Sequence, residues 1–137
     1  MFEISFRTKQ QVCRLELAKK LKKLGMKQES LFWWAEYNDG TSSLIDYKAA
    51  NKHCRSVLFN LYSAPTVAEL GEMLPYYIKT SKAYIFLVIK KLPTGWECGY
   101  AEIDYTTHFR RTGETLADAC GEILVYLWDN NLIQKEV

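Results

Sequence analysis

The sequence predicts one α+β domain, a mainly antiparallel sheet packed by helices in the order α-β-β-α-β-β-α. Three observations lead there. The chain has 137 residues, the usual size of one domain. Hydrophobic residues make up 48% and charged residues 25%, which is enough apolar surface for a core and excludes a disordered tail or a disulfide scaffold. Helix-capping patterns alternate along the chain with short aromatic, β-branched runs closed by turn residues. The aromatic share of 14% adds flat rings that pack well on pleated sheet.

Thr8-x-x-Gln11 has the form of a capping box and predicts a first helix over about residues 9–24. Cys13, Leu17, Leu21 and Leu24 recur at three- and four-residue steps on one face, with Lys19, Lys20, Lys22 and Lys23 on the other. Gly25 suits a left-handed stop. Val12 and Leu15 lie off the apolar stripe, which points to cover on two sides or to another chain. Residues 31–37 (LFWWAEY) read as a strand, and Asn38-Asp39-Gly40 as a turn that accepts positive φ. Residues 41–52 fit no single pattern. Residues 55–62 are the next strand, and after Pro65 a second capping box, Thr66-Val67-Ala68-Glu69, opens a short helix stopped by Pro75.

Tyr76 and Tyr77 begin the following segment. Residues 84–92 and 96–106 then form a hairpin around Pro93-Thr94-Gly95. Thr115-x-x-Asp118 starts the last helix, whose Leu116, Cys120, Ile123, Leu124, Leu127 and Trp128 make a broad apolar face, and Asn130 and Asn131 close it. Residues 66–74 and 115–124 look alike apart from one inserted residue. Two β-β-α units, about 29–75 and 82–133, could therefore record a duplication within the single domain 1–137, although shared capping chemistry explains most of the likeness.

Formal net charge is +2 but unevenly placed: residues 1–27 hold eight Lys/Arg against two Glu, leaving ten basic against fourteen acidic residues in the rest. Cys13, Cys54, Cys98 and Cys120 form no C-x-x-C pair, so they read as reduced, buried thiols and point to a cytoplasmic home. The start Met1-Phe2-Glu3 is not that of an export leader, and the longest apolar run, residues 84–89, is far too short to span a bilayer. No membrane partner is expected.

Features that invite chemistry have plainer readings. His53 and Cys54 are neighbours, and neighbours on a strand point to opposite faces, so they cannot share a proton there. His108 with Cys98, Glu102 or Asp104 lacks the spacing of a zinc site. Glu69, Glu72 and Asp118 fit first-turn positions where a carboxylate favours the helix dipole. Gly71 and Gly121 match no phosphate loop and suit close helix packing. No catalytic residue, metal ligand or cofactor is expected.

Two surfaces are left as candidates. Trp33, Trp34 and Tyr37 lie on a strand that sends alternate rings to opposite faces, and a ring left exposed there would be a protein-binding anchor; the plainer fate is core packing. Lys19, Lys20, Lys23 and Lys27 could follow a phosphate backbone if Arg110 and Arg111 join them in one patch; the plainer fate is a solvated helix face.

Residues 17–25 (LAKKLKKLG), 28–34 (QESLFWW), 63–75 (SAPTVAELGEMLP), 114–119 (ETLADA) and 123–127 (ILVYL) resemble, as blocks in order, a set of small uncharacterised proteins encoded in bacteriophage and prophage genomes. The resemblance covers most of residues 11–133. It implies a setting, the cytoplasm of an infected or lysogenic bacterium, and carries no site residues. The expected function is that of a non-enzymatic accessory protein that binds a host or phage protein. The alternative is a small nucleic-acid-associated protein that uses its basic N-terminal helix.

Overall fold

Free amides at a helix start need acceptors, and this chain supplies a different one at each start. The computed structural model describes residues 4–53 and 58–134. A single turn, α1 (Phe6–Lys9), begins at Ser5, whose hydroxyl accepts the Thr8 amide at 3.2 Å. Thr8 is thus inside a turn and does not cap the main helix. That helix, α2 (Leu15–Lys23), starts later than the expected residue 9, after Val12 has bridged to Thr66. Its N-cap Arg14 has no side-chain cap of its own; the Arg14 amide donates to Asp118 Oδ1 at 2.9 Å. At the other end Gly25 has φ +101°, the Met26 amide reaches Leu21 O at 2.9 Å and the Gly25 amide reaches Lys22 O at 3.0 Å, the paired bonds of a Schellman stop.

The first sheet is antiparallel, in the order β2-β1-β3, from β1 (Phe32–Tyr37), β2 (Ser42–Asp46) and β3 (Leu58–Ser63). Gly40 at φ +87° turns β1 into β2, while Asp39 Oδ1 accepts the Thr41 amide at 2.9 Å. The pattern of residues 41–52 was mixed because a strand passes directly into a helix, α3 (Tyr47–His53), with Asp46 Oδ1 accepting the Ala49 amide at 2.8 Å. His53 therefore ends a helix and is not on a strand. Cys54 and the expected strand residues 55–57 lie outside the described residues.

The second capping box forms in full, opening α4 (Val67–Met73). Thr66 Oγ1 accepts the Glu69 amide at 3.1 Å and Glu69 Oε1 accepts the Thr66 amide at 2.8 Å. The second sheet is antiparallel, in the order β4-β5-β6-β7, from β4 (Tyr77–Lys79), β5 (Tyr84–Leu92), β6 (Gly95–Ala101) and β7 (Thr107–Gly113). The hairpin of β5 and β6 stands where expected, but its second strand stops at Ala101 instead of residue 106. Asp104 Oδ1 takes the Thr106 amide at 3.0 Å and Tyr105 adopts φ 70°, so the chain turns there and returns as β7. The last helix, α5 (Leu116–Asp129), opens with Thr115 Oγ1 accepting the Asp118 amide at 3.1 Å. Asn131, at φ 54°, closes it, with the Leu132 amide on Leu127 O at 2.9 Å.

The α+β class is as expected. The seven expected elements are α2, β1, β3, α4, β5, β6 and α5; α1, β2, α3, β4 and β7 are additions, and the strands form two sheets. α5 packs on β6 and β7 and meets α2 and α4. Leu17, Leu21, Ile123, Leu124 and Leu127 are fully buried together with Ile85, Cys98 and Tyr100, whereas Leu24 only packs against this cluster. A second, smaller cluster of Val12, Leu44 and Ala64 gathers Ile4, Phe32 and Trp34, and it explains why Val12 lies off the stripe of α2.

Candidate functional site: the outer face of the second sheet

Successive residues of a strand face opposite sides, and in β5 both sides are apolar. Leu87 lies in register with Tyr100 and Phe109, and Phe109 packs on Tyr126 of α5 with ring centroids 4.8 Å apart. That side faces the core. Tyr84, Phe86 and Val88 consequently face away from α5. Register carries the outer row across the strands: Tyr77 pairs with Phe86, Phe86 with Ala101, and Val88 with Gly99.

The outer row is open. Tyr77 is 39% exposed, Tyr84 51% and Phe86 37%, with Tyr76 beside them at 73%. The Tyr77 and Tyr84 ring centroids lie 5.8 Å apart, and those of Tyr76 and Tyr77 4.6 Å apart. Beyond Ala101, the β6–β7 turn presents Ile103 and Tyr105 almost fully to solvent. Next to the rings, β6 offers only Gly99 and Ala101. A Cβ at Gly99 would come 2.4 Å from Phe109 O, so the close approach of β7 keeps this lane of the sheet free of a tall side chain.

Charge around the row is asymmetric in its pairing. Lys79 sits over the Tyr84 ring at 5.8 Å, and Lys82 and Lys90 are exposed; none of the three has an ion pair among the described residues. The carboxylates nearby are engaged. Glu97 pairs with Arg110 at 3.6 Å, Glu102 with His108 at 2.9 Å, and Asp104 holds the Thr106 amide, which lowers its carboxyl below the usual range.

The aromatic candidates from the sequence lie on the first sheet, with their polar tips hydrogen-bonded. Trp33 and Trp34 do face opposite ways on the central strand of the first sheet, and both are half-buried. Trp33 Nε1 donates to Ser30 O at 2.9 Å, Trp34 Nε1 to Cys13 O at 2.7 Å, and the Tyr37 hydroxyl bonds Ser43 Oγ at 2.8 Å. The Trp34 tip ties β1 to the segment before α2, Trp33 bonds the residues leading into β1, and the Tyr37 hydroxyl joins β1 to β2.

The lysines of α2 do not act as one set. Lys19 pairs with Glu36, a hydrogen bond that raises its ammonium above the usual range, and lies over the Tyr62 ring at 5.5 Å. Lys22 donates to Leu61 O at 3.1 Å. These two dock the helix on the first sheet, and Lys20, Lys23 and Lys27 are exposed. Arg110 is paired with Glu97, and Arg111 stacks over Tyr126 at 4.5 Å.

Other residues with chemical potential have structural tasks. Cys13, Cys98 and Cys120 are free, buried thiols. Burial and the nearby Asp118 push the Cys13 thiol up, while Cys98 is raised first by its hydrogen bond with Cys120 and then by burial. Asp118, expected only to favour its own helix dipole, is 7% exposed and caps α2 while pairing with the Arg14 guanidinium at 3.6 Å. Glu69 also accepts the Leu31 amide at 3.3 Å. A pocket of about 530 Å³ lies between α4, the segment 25–30 and Trp128.

The outer row was missed in the sequence because residues 84–89 are apolar in both phases, the pattern of a strand covered on two sides. Exposure alone distinguishes the two cases. Comparison with known proteins gives no match among protein-family profiles, curated proteins or solved structures.

Proposed function

We propose that this chain is a binding domain whose working surface is the outer face of the second sheet, and that it acts by holding a macromolecular partner there. The observation that carries this reading is the row Tyr77, Tyr84 and Phe86, large rings left half-exposed side by side on an open sheet. Full burial of such a side chain is worth about 1.5–3 kcal/mol, so each half-exposed ring leaves roughly 1 kcal/mol to be gained on contact. Rings of this kind dominate binding hot spots. Tyr76, in ring contact with Tyr77, extends the row beyond the scattered exposed apolar residues normal for a monomer.

Protein and nucleic acid compete as occupants. The bacterial setting rests on the resemblance to phage-encoded proteins alone. The test is parallel capture from bacterial lysate on immobilised wild-type protein and on the Tyr84→Ser/Phe86→Ser variant, reading bound protein by mass spectrometry and bound nucleic acid by sequencing. A species retained by the wild type and lost from the variant is expected. Identical retained sets would refute the assignment of this surface.

A further inference from the structure

We propose that the outer face of the second sheet binds single-stranded nucleic acid, with bases stacked on Tyr77, Tyr84 and Phe86 and phosphates held by Lys79, Lys82 and Lys90. The inference rests on that face being the working surface and adds the class of its occupant.

Charge pairing separates the two candidate occupants. The three lysines beside the rings lack anionic partners among the described residues, whereas Glu97, Glu102 and Asp104 already have partners. Of these carboxylates only Glu97 is paired with a permanent cation, Arg110; Glu102 and Asp104 keep their charge beyond Ala101, so an anionic chain would be held at the β4–β5 side of the face, where Lys79, Lys82 and Lys90 are free of ion pairs among the described residues. Lysine is depleted in protein–protein interfaces, while lysines interleaved with aromatic rings are the make-up of surfaces that hold single strands. Every base has a π-face, so such rings bind without reading sequence.

Geometry agrees. Strands about 4.8 Å apart place the rings of β4 and β5 at intervals an extended strand of nucleotides can follow, and the row spans about two or three nucleotides. Ala101 and Gly99, in register with Phe86 and Val88, carry no tall side chain but are themselves buried, so stacking is confined to the rings of β4 and β5. A face of this shape offers no helix or ribbon to enter a duplex groove, so paired bases would present no π-face to the rings.

The probe is a fluorescein-labelled oligothymidylate of about 15 nucleotides, followed by anisotropy at about 50 mM salt, beside a duplex of equal length. The oligothymidylate should bind, and the duplex about tenfold or more weakly. Tyr84→Ala and Phe86→Ala should each weaken binding about tenfold, whereas Tyr84→Phe keeps the ring and should bind as the wild type does. Because the rings are exposed, melting temperatures should stay near that of the wild type, which separates a binding loss from unfolding. The combined Lys79→Gln, Lys82→Gln and Lys90→Gln variant should flatten the dependence of log affinity on log salt by about 2, and Lys20→Gln with Lys23→Gln and Lys27→Gln should leave it unchanged.

Absence of oligothymidylate binding by the wild type would overturn the nucleic-acid inference. The surface reading would then stand if a captured protein is still lost from the Tyr84→Ser/Phe86→Ser variant. Binding that ignores the rings and follows the α2 lysines would overturn both.

Discussion

Glycine to alanine, made once in each of two helices, should change stability in opposite directions. Gly71 lies in α4 with nothing within 4 Å of the position a Cβ would take, and its φ is not in the left-handed region. Alanine there gains helix propensity without a clash, so Gly71→Ala should stabilise the protein by about 0.5–1 kcal/mol. Gly121 lies in α5 where it crosses α2, and a Cβ there would come 2.6 Å from both Cys13 Sγ and Leu17 Cδ2. Ordinary carbon contacts are about 3.5–4.0 Å, so one of the helices must move by roughly 1 Å. Cys13 and Leu17 are fully buried and cannot swing into solvent. Overpacking of this sort costs about 1–3 kcal/mol, against about 1 kcal/mol of propensity gained, so Gly121→Ala should be destabilising by about 1–2 kcal/mol. Urea titration measures both, and in a thermal melt each kcal/mol should move the midpoint by about 3–5 °C. A neutral or stabilising Gly121→Ala would mean that α2 and α5 do not cross at this residue.

Leu124→Ala should cost about 2–5 kcal/mol in the same titration, since Leu124 is fully buried among α2, α5 and the second sheet; a loss under about 1 kcal/mol would show the face of α5 to be misread. Asp118→Ala removes the acceptor of the Arg14 amide as well as the ion pair, and should cost about 2 kcal/mol, while Arg14→Ala keeps the backbone bond and should cost under about 1 kcal/mol. Equal losses would contradict the cap. Burial first, and then the neighbouring Cys98 and Cys120, push the Tyr100 phenol above its usual range, and its hydroxyl donates to Pro75 O at 2.6 Å. The unfolded chain then releases this proton first, near pH 10, so the contribution of Tyr100 is intact below about pH 10 and is lost as pH rises above it. Urea titrations from pH 8 upward should show a shallower alkaline loss for Tyr100→Phe than for the wild type, and matching slopes would disprove the shift.

What could be read in the sequence was what is local. Thr66 and Glu69 are three residues apart and satisfy one another, so their capping box is written in the chain. The Gly25 stop and the apolar face of α5 are similarly contained within a few turns. The cap of α2 was not legible because its acceptor, Asp118, arrives from 104 residues away. β7 escaped because THFRRTG is mostly polar: of Phe109, Arg111 and Gly113 on its core side only Phe109 is a large apolar residue, and Arg111 covers Tyr126 with a charged side chain. Lysines opposite a leucine stripe look solvated in a lone helix, yet Lys19 and Lys22 meet Glu36, Leu61 and Tyr62 once the first sheet is in place. Trp33, Trp34 and Tyr37 drew attention by their bulk, but their polar tips find backbone and hydroxyl partners that only tertiary structure provides. The exposed row of β5 was hidden by apolar residues on both faces of one strand.

The most direct measurement of the assignment of single-stranded nucleic acid to the outer face of the second sheet is an NMR titration of isotope-labelled protein with the same oligothymidylate, following backbone amides and aromatic side chains together. Shift changes should concentrate on Tyr77, Lys79, Tyr84, Phe86 and Gly99, with Trp33, Lys20, Lys23 and Lys27 unmoved. Changes centred on α2 or on the first sheet, or none on β4 and β5, would contradict it.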